Sequence, residues 1–225
     1  MPSRVMLAVF DCDGTLVDSQ HAINSCMTDA FIHVGLQPPP ISSVRRVVGL
    51  PLAQAIEILA DDDVAPVPAM VEAYSASWQR MRTGGKLDEP LFDGTFELLS
   101  GLHASAWTLG VATGKSMRGL EATLAHHGLN GLFSTLQTAD RARGKPHPEM
   151  LELAMAETAA EPAETVMIGD TTYDMEMAVN AGVRALGVAW GYHAPEDLKA
   201  AGALMVAENV ADLNRYLKNL EEQGS

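Results

Sequence analysis

Beyond residue 85, short apolar runs alternate one for one with stretches of helical period. Residues 107–112, 132–136, 166–169, 185–189 and 203–206 read as strands, and 95–105, 116–127, 148–159, 173–181, 194–201 and 210–220 read as helices. Strands joined through helices cannot pair as tight hairpins; they lie parallel, with the helices covering both faces of the sheet. The apolar run 5–10 belongs to the same sheet, but it is separated from the rest by four helical segments at 19–33, 41–48, 50–60 and 67–81. Ser19 is placed to cap the first of these, Pro38-Pro39-Pro40 to break the chain after it, and Asp61-Asp62-Asp63 to form an acidic turn. The sequence therefore predicts an α/β protein, a doubly wound parallel sheet with an inserted small α-helical unit. Residues 1–17 and 83–225 form the core, residues 18–82 the insert, and 221–225 a solvated tail. In open sheets of this kind ligands bind beyond the carboxyl ends of the strands, so any chemistry should collect there.

A chain of 225 residues, 47% of them apolar, is long enough for one full core plus a small accessory unit. The net charge of −14 disfavours nucleic-acid and anionic-membrane surfaces. It also repels a phosphate-bearing substrate at long range, so local cations must recruit one. Cys12 and Cys26 show neither metal spacing nor a disulfide framework, which fits a reducing compartment. No apolar run has membrane-spanning length, and the N-terminal run is too short for a signal peptide. The expected location is the cytoplasm.

Two strand runs stop at acids. The run 5–10 ends in Asp11-Cys12-Asp13-Gly14-Thr15-Leu16. Residues i and i+2 of an extended chain point the same way, so Asp11 and Asp13 share one side. Paired carboxylates repel, which calls for a proton or a nearby cation. The bland reading of the stretch is a hairpin turn, since Asp-Gly is a common turn dipeptide. The run 166–169 ends in Asp170, with Asp174 four residues on at a helix start; both can face one side, although acids also suit a helix N-terminus for its dipole alone. Between them, Thr113 and Gly114 follow a third strand run and offer a hydroxyl and an unobstructed N–H, with Ser116 placed to cap the next helix. Lys145 precedes Pro146 and Pro148, in a rigid segment able to hold a cation in a fixed place. His147, between those prolines, carries no assigned chemistry.

Taken in order, Asp11-x-Asp13-Gly14-Thr15-Leu16, Thr113-Gly114, Lys145-Pro146-His147-Pro148 and Gly169-Asp170-x-x-x-Asp174 resemble the four motifs of the haloacid dehalogenase-like (HAD) superfamily. Many similar members carry Asn where Gly114 stands. The helical insert is similar to the small cap of the first subfamily, and the 187–193 tract resembles phosphoglycolate phosphatases, although Trp190 and Tyr192 there could simply pack. The resemblance implies that Asp11 is a nucleophile, suited to the role because it is ionised at neutral pH, and Asp13 a general acid/base. It implies phosphate binding by Thr113, Gly114 and Lys145. It also implies Mg²⁺ held by Asp11, Asp170 and the Asp13 carbonyl, with Asp174 in support.

The implied activity is a Mg²⁺-dependent phosphatase acting through an aspartyl-phosphate on a small monoester, phosphoglycolate-like or a sugar phosphate. A phosphosugar mutase of β-phosphoglucomutase type, a pyrophosphatase and a nucleotidase remain alternatives on the same scaffold. A dehalogenase is disfavoured by Asp13 and Asp174, and a non-catalytic phospho-ligand binder by the intact motifs. Arg45, Arg46 and Gly49 lie where the family often keeps substrate-reading residues, although two solvated arginines are as good an account. The expected partner is a small phosphorylated metabolite, with neither nucleic acid nor membrane, bound by a monomer or homodimer.

Overall fold

The structure is a computed structural model and describes residues 5–61, 65–105 and 107–224. Strand β1 (Met6–Phe10) is followed by four helices, α1 (Gln20–His33), α2 (Ile41–Val47), α3 (Leu52–Ala60) and α4 (Val67–Thr83). The alternating part then runs α5 (Thr95–His103), β2 (Trp107–Thr113), α6 (Met117–His126), β3 (Thr135–Thr138), α7 (Glu149–Thr158) and β4 (Thr165–Gly169). It ends with α8 (Thr172–Ala181), β5 (Arg184–Val188), α9 (Pro195–Ala200), β6 (Met205–Ala207) and α10 (Val210–Gly224).

All six strands form one parallel sheet in the order β3-β2-β1-β4-β5-β6. Every residue of β1 is buried, and its side chains divide between the two faces. Met6, Ala8 and Phe10 join Leu98, Leu120 and Leu213 under α5, α6 and α10. Leu7 and Val9 join Met150, Met175 and Leu198 under α7, α8 and α9. A central strand covered on both sides has no polar face to keep, which is why its sequence is continuously apolar. From β1 the chain moves outward through β2 and β3, then returns to pair β4 on the other side. This reversal opens a crevice at the carboxyl ends of β1, β2 and β4.

Helices α1 to α4 enclose an apolar cluster of their own, including Ile23, Met27, Phe31, Val44, Ile56 and Met70. Among the described residues no helix is long and apolar enough to cross a membrane.

Three local expectations change, and a fourth is described only in part. The third strand lies at Thr135–Thr138 rather than 132–136, because Leu132 and Phe133 pack on the core from a loop and pairing to β2 begins only at Gly110↔Thr135. Ser19 makes no capping bond to α1; its hydroxyl donates to the Asp13 carboxylate instead. The final helix continues through 221–224, where a solvated tail was expected. Asp61 adopts a left-handed conformation at the end of α3, and the rest of the expected acidic turn lies outside the described residues.

Candidate active site

The strand-end acids converge. Asp11 directly follows β1, and its N–H still bonds the Ile168 carbonyl of β4 at 2.9 Å, so its position is fixed by the sheet. Asp170 directly follows β4; its Oδ1 accepts from Thr15 Oγ1 at 2.7 Å and its Oδ2 from the Tyr192 N–H at 2.9 Å. Thr171 caps α8 in a reciprocal box with Asp174, whose Oδ2 accepts from the Thr171 N–H at 3.0 Å and hydroxyl at 2.7 Å. Glycine at 169 leaves room for this box, since a Cβ there would stand 2.3 Å from Asp174 Cγ. Oxygens of Asp11, Asp170 and Asp174 all lie within 4.8 Å of one another, and all three side chains are buried.

Lys145 enters this cluster from the loop before α7, where the Lys145–Pro146 peptide is cis. Its buried ammonium lies 2.7 Å from Asp11 Oδ1 and 2.6 Å from Asp174 Oδ1. Burial pushes the Asp11 carboxyl up to about 7; Lys145 opposes the rise and Asp174 adds to it. Burial likewise holds Asp170 well above the usual carboxylate range, with Asp11 and Asp174 adding to the effect. For Lys145 burial disfavours the charge, but the Asp11 and Asp174 carboxylates outweigh it and hold the ammonium protonated.

With all three acids ionised, one ammonium would offset one of three carboxylate charges and leave two in a dry site, which is why burial here favours the protonated acids. Asp11 Oδ2 is buried and has no hydrogen-bond partner. An all-oxygen donor set short of two positive charges, with one bare oxygen, fits a hard divalent cation such as Mg²⁺.

Asp13 sits at the rim of the same crevice, with its side chain 14% exposed. The left-handed Gly14 (φ +85°) turns the chain after it, and a Cβ there would meet Asp170 Oδ2 at 2.3 Å. The Asp13 carboxylate accepts from Ser19 and pairs with Lys115 Nζ at 2.8 Å. Lys115 also lies 3.6 Å from Glu89 Oε2 and 4.5 Å from the centre of the Trp78 ring on α4. Burial works against the Lys115 charge, and Asp13, Cys12 and Glu89 together more than offset it. Glu89 is itself buried; it accepts from Thr123 Oγ1 at 3.1 Å and faces Arg82 at 4.0 Å. Removing one member of such a buried cluster leaves charge unpaired. Glu89→Ala is therefore expected to cost about 3 kcal/mol, a fall in Tm of roughly 6–12 °C in thermal unfolding. An unchanged Tm would show that Glu89 is dispensable to the pairing.

Thr113 ends β2 fully buried, and its hydroxyl oxygen accepts from the Lys115 N–H at 3.2 Å, which leaves the hydroxyl proton for another acceptor. Gly114 lies against the helical block; a Cβ there would meet the carbonyls of Leu50 at 3.0 Å and Gly49 at 3.1 Å. Ser116 caps α6 as expected.

Asp11, Asp13, Thr113, Gly114, Lys145, Asp170 and Asp174 thus meet at one end of the sheet. Asp11, Asp13, Thr113 and Gly114 open onto a cavity of about 440 Å³ whose opposite wall comes from α1 to α4. Of the insert residues expected there, Gly49 lines the cavity. Arg45 is engaged elsewhere. Its guanidinium donates to Gln20 Oε1 at 2.7 Å and to the Gly191 and Tyr192 carbonyls at 3.0 and 3.2 Å, clasping α2 to the loop after β5. Arg46 is exposed, and its carbonyl accepts from Tyr173 Oη at 2.9 Å. Lys115, Glu89, Thr15, Thr171 and Tyr192 carry contacts that the sequence reading gave no part in the site. Thr15 and Thr171 are adjacent to motif residues and could have been flagged as donors. Nothing in the sequence sets Glu89 apart from any other loop acid.

Residues 8–188 match the family described as Haloacid dehalogenase-like hydrolase. The chain belongs to that family. Among curated HAD relatives, the "Probable phosphatase IndB" of Dickeya dadantii is 37% identical over 212 residues, covering 92% of this chain and 91% of that one. A phosphoglycolate phosphatase of Vibrio vulnificus is 28% identical, covering 93% and 95% respectively. Among solved HAD structures, one described as "a predicted phosphatase from Clostridium acetobutylicum" superposes with a TM-score of 0.86 at 26% identity, covering 96% of this chain and all of that one.

Proposed function

We propose that this HAD hydrolase is a Mg²⁺-dependent phosphatase that cleaves a small phosphate monoester through an aspartyl-phosphate on Asp11. One observation carries the assignment: Asp11 is fixed by the sheet and held at Oδ1 by Lys145, while its Oδ2 is bare. Both oxygens of Asp170 accept hydrogen bonds, and those of Asp174 are taken by Thr171 and Lys145, so neither is as free to attack.

Asp11 attacks phosphorus, and the bond from phosphorus to the ester oxygen breaks. Asp13 gives its proton to that departing oxygen. Water then attacks the phosphorus of the aspartyl-phosphate, Asp13 takes up the proton, and Asp11 leaves as a carboxylate with release of phosphate. Thr113 and the Gly114 N–H donate to the phosphoryl oxygens, and Lys145 adds positive charge beside them. Asp11, Asp170 and the Asp13 carbonyl would hold Mg²⁺, with Asp174 in support; when bound, it supplies the charge that offsets the phosphoryl oxygens. Ser19 and Lys115 keep the Asp13 carboxyl aimed into the crevice. The helical block 18–82 acts as a cap over the core formed by 1–17 and 83–225, excluding water and contacting the leaving group.

Phosphate release from p-nitrophenyl phosphate or acetyl phosphate tests this. Turnover is expected with Mg²⁺ and is expected to fall at least about 100-fold on chelation, returning when Mg²⁺ is restored. Equal rates with and without chelator would remove the metal from the reaction. Release without a sugar bisphosphate separates hydrolysis from phosphosugar mutation.

A further inference from the structure

The cavity beside Asp11 and Asp13 is unlike a site for a small, charged leaving group. Its volume of about 440 Å³ is several times what a two-carbon carboxylate would fill, and the wall facing the catalytic residues is apolar. Ile23 and Met27 of α1 and Val71, Tyr74 and Trp78 of α4 line it. Tyr74 and Trp78 are one helical turn apart and form a stacked pair in the cavity lining, with ring centres 6.1 Å apart and planes only 18° from parallel. Both are only half-buried, although the apolar cluster of the block lies directly behind them. The wall stands where a leaving group would: Trp78 contacts Lys115, and Lys115 contacts Asp13, the group that protonates the departing oxygen. Of the two arginines singled out in the insert, Arg45 is spent on Gln20 and backbone carbonyls, and neither it nor Arg46 lines the cavity. Arg82 and Arg118 also line the cavity; Arg82 faces the buried Glu89 carboxylate at 4.0 Å, and Arg118 lies on the core side of the cavity, on α6, rather than on the aromatic wall.

We propose that the leaving alcohol of the substrate carries a flat, largely apolar ring body, seated against Tyr74 and Trp78, rather than a short carboxylate or a bare polyol. This rests on the phosphatase activity proposed above. An apolar ring removes the wall from water, whereas a carboxylate or polyol seated against Tyr74 and Trp78 would be desolvated by side chains that return little hydrogen bonding and would have to reach Ser75, Gln79 or Arg118 elsewhere in the lining. The chemistry at phosphorus is unchanged; only the alcohol that leaves with the Asp13 proton is specified.

The test compares alcohols of similar intrinsic leaving ability, so that binding rather than reactivity is read. kcat/KM is measured with Mg²⁺ for 2-phenylethyl phosphate, propyl phosphate and 2-phosphoglycolate, with acetyl phosphate as a small, reactive control. The phenylethyl ester is expected to exceed both small esters by roughly 10- to 100-fold, the discrimination a well-fitted apolar pocket provides. Trp78→Ala is expected to lower the phenylethyl-to-propyl ratio by about tenfold. Because the wild-type comparison needs no variant, a poorly folded Trp78→Ala does not decide the matter. If acetyl phosphate is hydrolysed but the phenylethyl and propyl esters are equal, or phosphoglycolate is preferred, the ring-bearing substrate is wrong and the phosphatase assignment survives. If acetyl phosphate is not hydrolysed, both fall together.

Discussion

Asp11→Asn is expected to abolish turnover, lowering kcat by roughly 10⁴-fold or more, as removal of a covalent nucleophile does elsewhere. The amide is nearly isosteric, and burial already disfavours charge at this position, so the variant should fold. Lys145 retains Asp174 as a partner, and the crevice keeps its shape. What disappears is the bare oxygen that bonds to phosphorus. Phosphate release and thermal unfolding, measured on the same preparation, separate loss of chemistry from loss of fold. A folded variant that keeps a tenth of the wild-type rate would mean that the phosphoryl group never visits Asp11.

The second large effect is expected from Lys145→Ala. Its ammonium touches two buried carboxylates, and taking away one partner of a buried pair costs about 3–5 kcal/mol. For a chain of this size that is a fall in Tm of roughly 6–20 °C. The carboxyls can escape part of the cost by taking up protons, so the effect depends on pH. In the wild type without metal, Asp11 has its pKa raised to about 7 from an ordinary 3.8. The folded state then holds a proton that the unfolded state releases between those values. Stability is therefore greatest below the lower value, declines as pH rises through the window, and levels off above the upper one. Lys145 is what pulls that carboxyl down, so its removal extends the decline to higher pH. Added Mg²⁺ opposes the decline by favouring the ionised cluster. Unfolding curves from about pH 5 to about pH 8, with and without Mg²⁺, measure this. A variant whose Tm tracks the wild type throughout would show that Lys145 does not neutralise the cluster.

Most strands and helices of the core were legible because most strand runs are largely apolar, two of them stopped by an acid, and the helices between them carry apolar residues at helical spacing. The motif residues were legible for a related reason: each strand-end acid has a local explanation in a turn or a helix dipole, but several such acids recurring in order at strand ends are not explained by either. The third strand was misplaced because Leu132 and Phe133 are apolar for packing rather than for pairing, and hydropathy alone does not separate the two. Ser19 has the residue type and position of a helix cap, yet its hydroxyl is directed to the charged Asp13 carboxylate, and in that orientation its oxygen accepts from no helix N–H. Arg45 shows the converse limit. Its charge suggested a ligand, but which acceptors lie within reach depends on a loop almost 150 residues later, and no local pattern contains that. Lys115, next to Thr113 and Gly114, carries no sequence signal of its role, because its partners Asp13, Glu89 and Trp78 come from three separate stretches.

The register of the sheet bears on how the chain is made. Met6 pairs with Trp107 and Ala8 with Val166, so the first strand to leave the ribosome waits for most of the chain before either edge is satisfied. Helices α1 to α4, by contrast, can bury their shared residues against one another as soon as they emerge. During synthesis an apolar, two-sided ribbon therefore hangs beside an already compact helical unit, the type of exposed edge that invites aggregation or chaperone capture. Yield on rapid expression should thus depend on the hydrophobicity of residues 6–10 more than on anything in the crevice they later support.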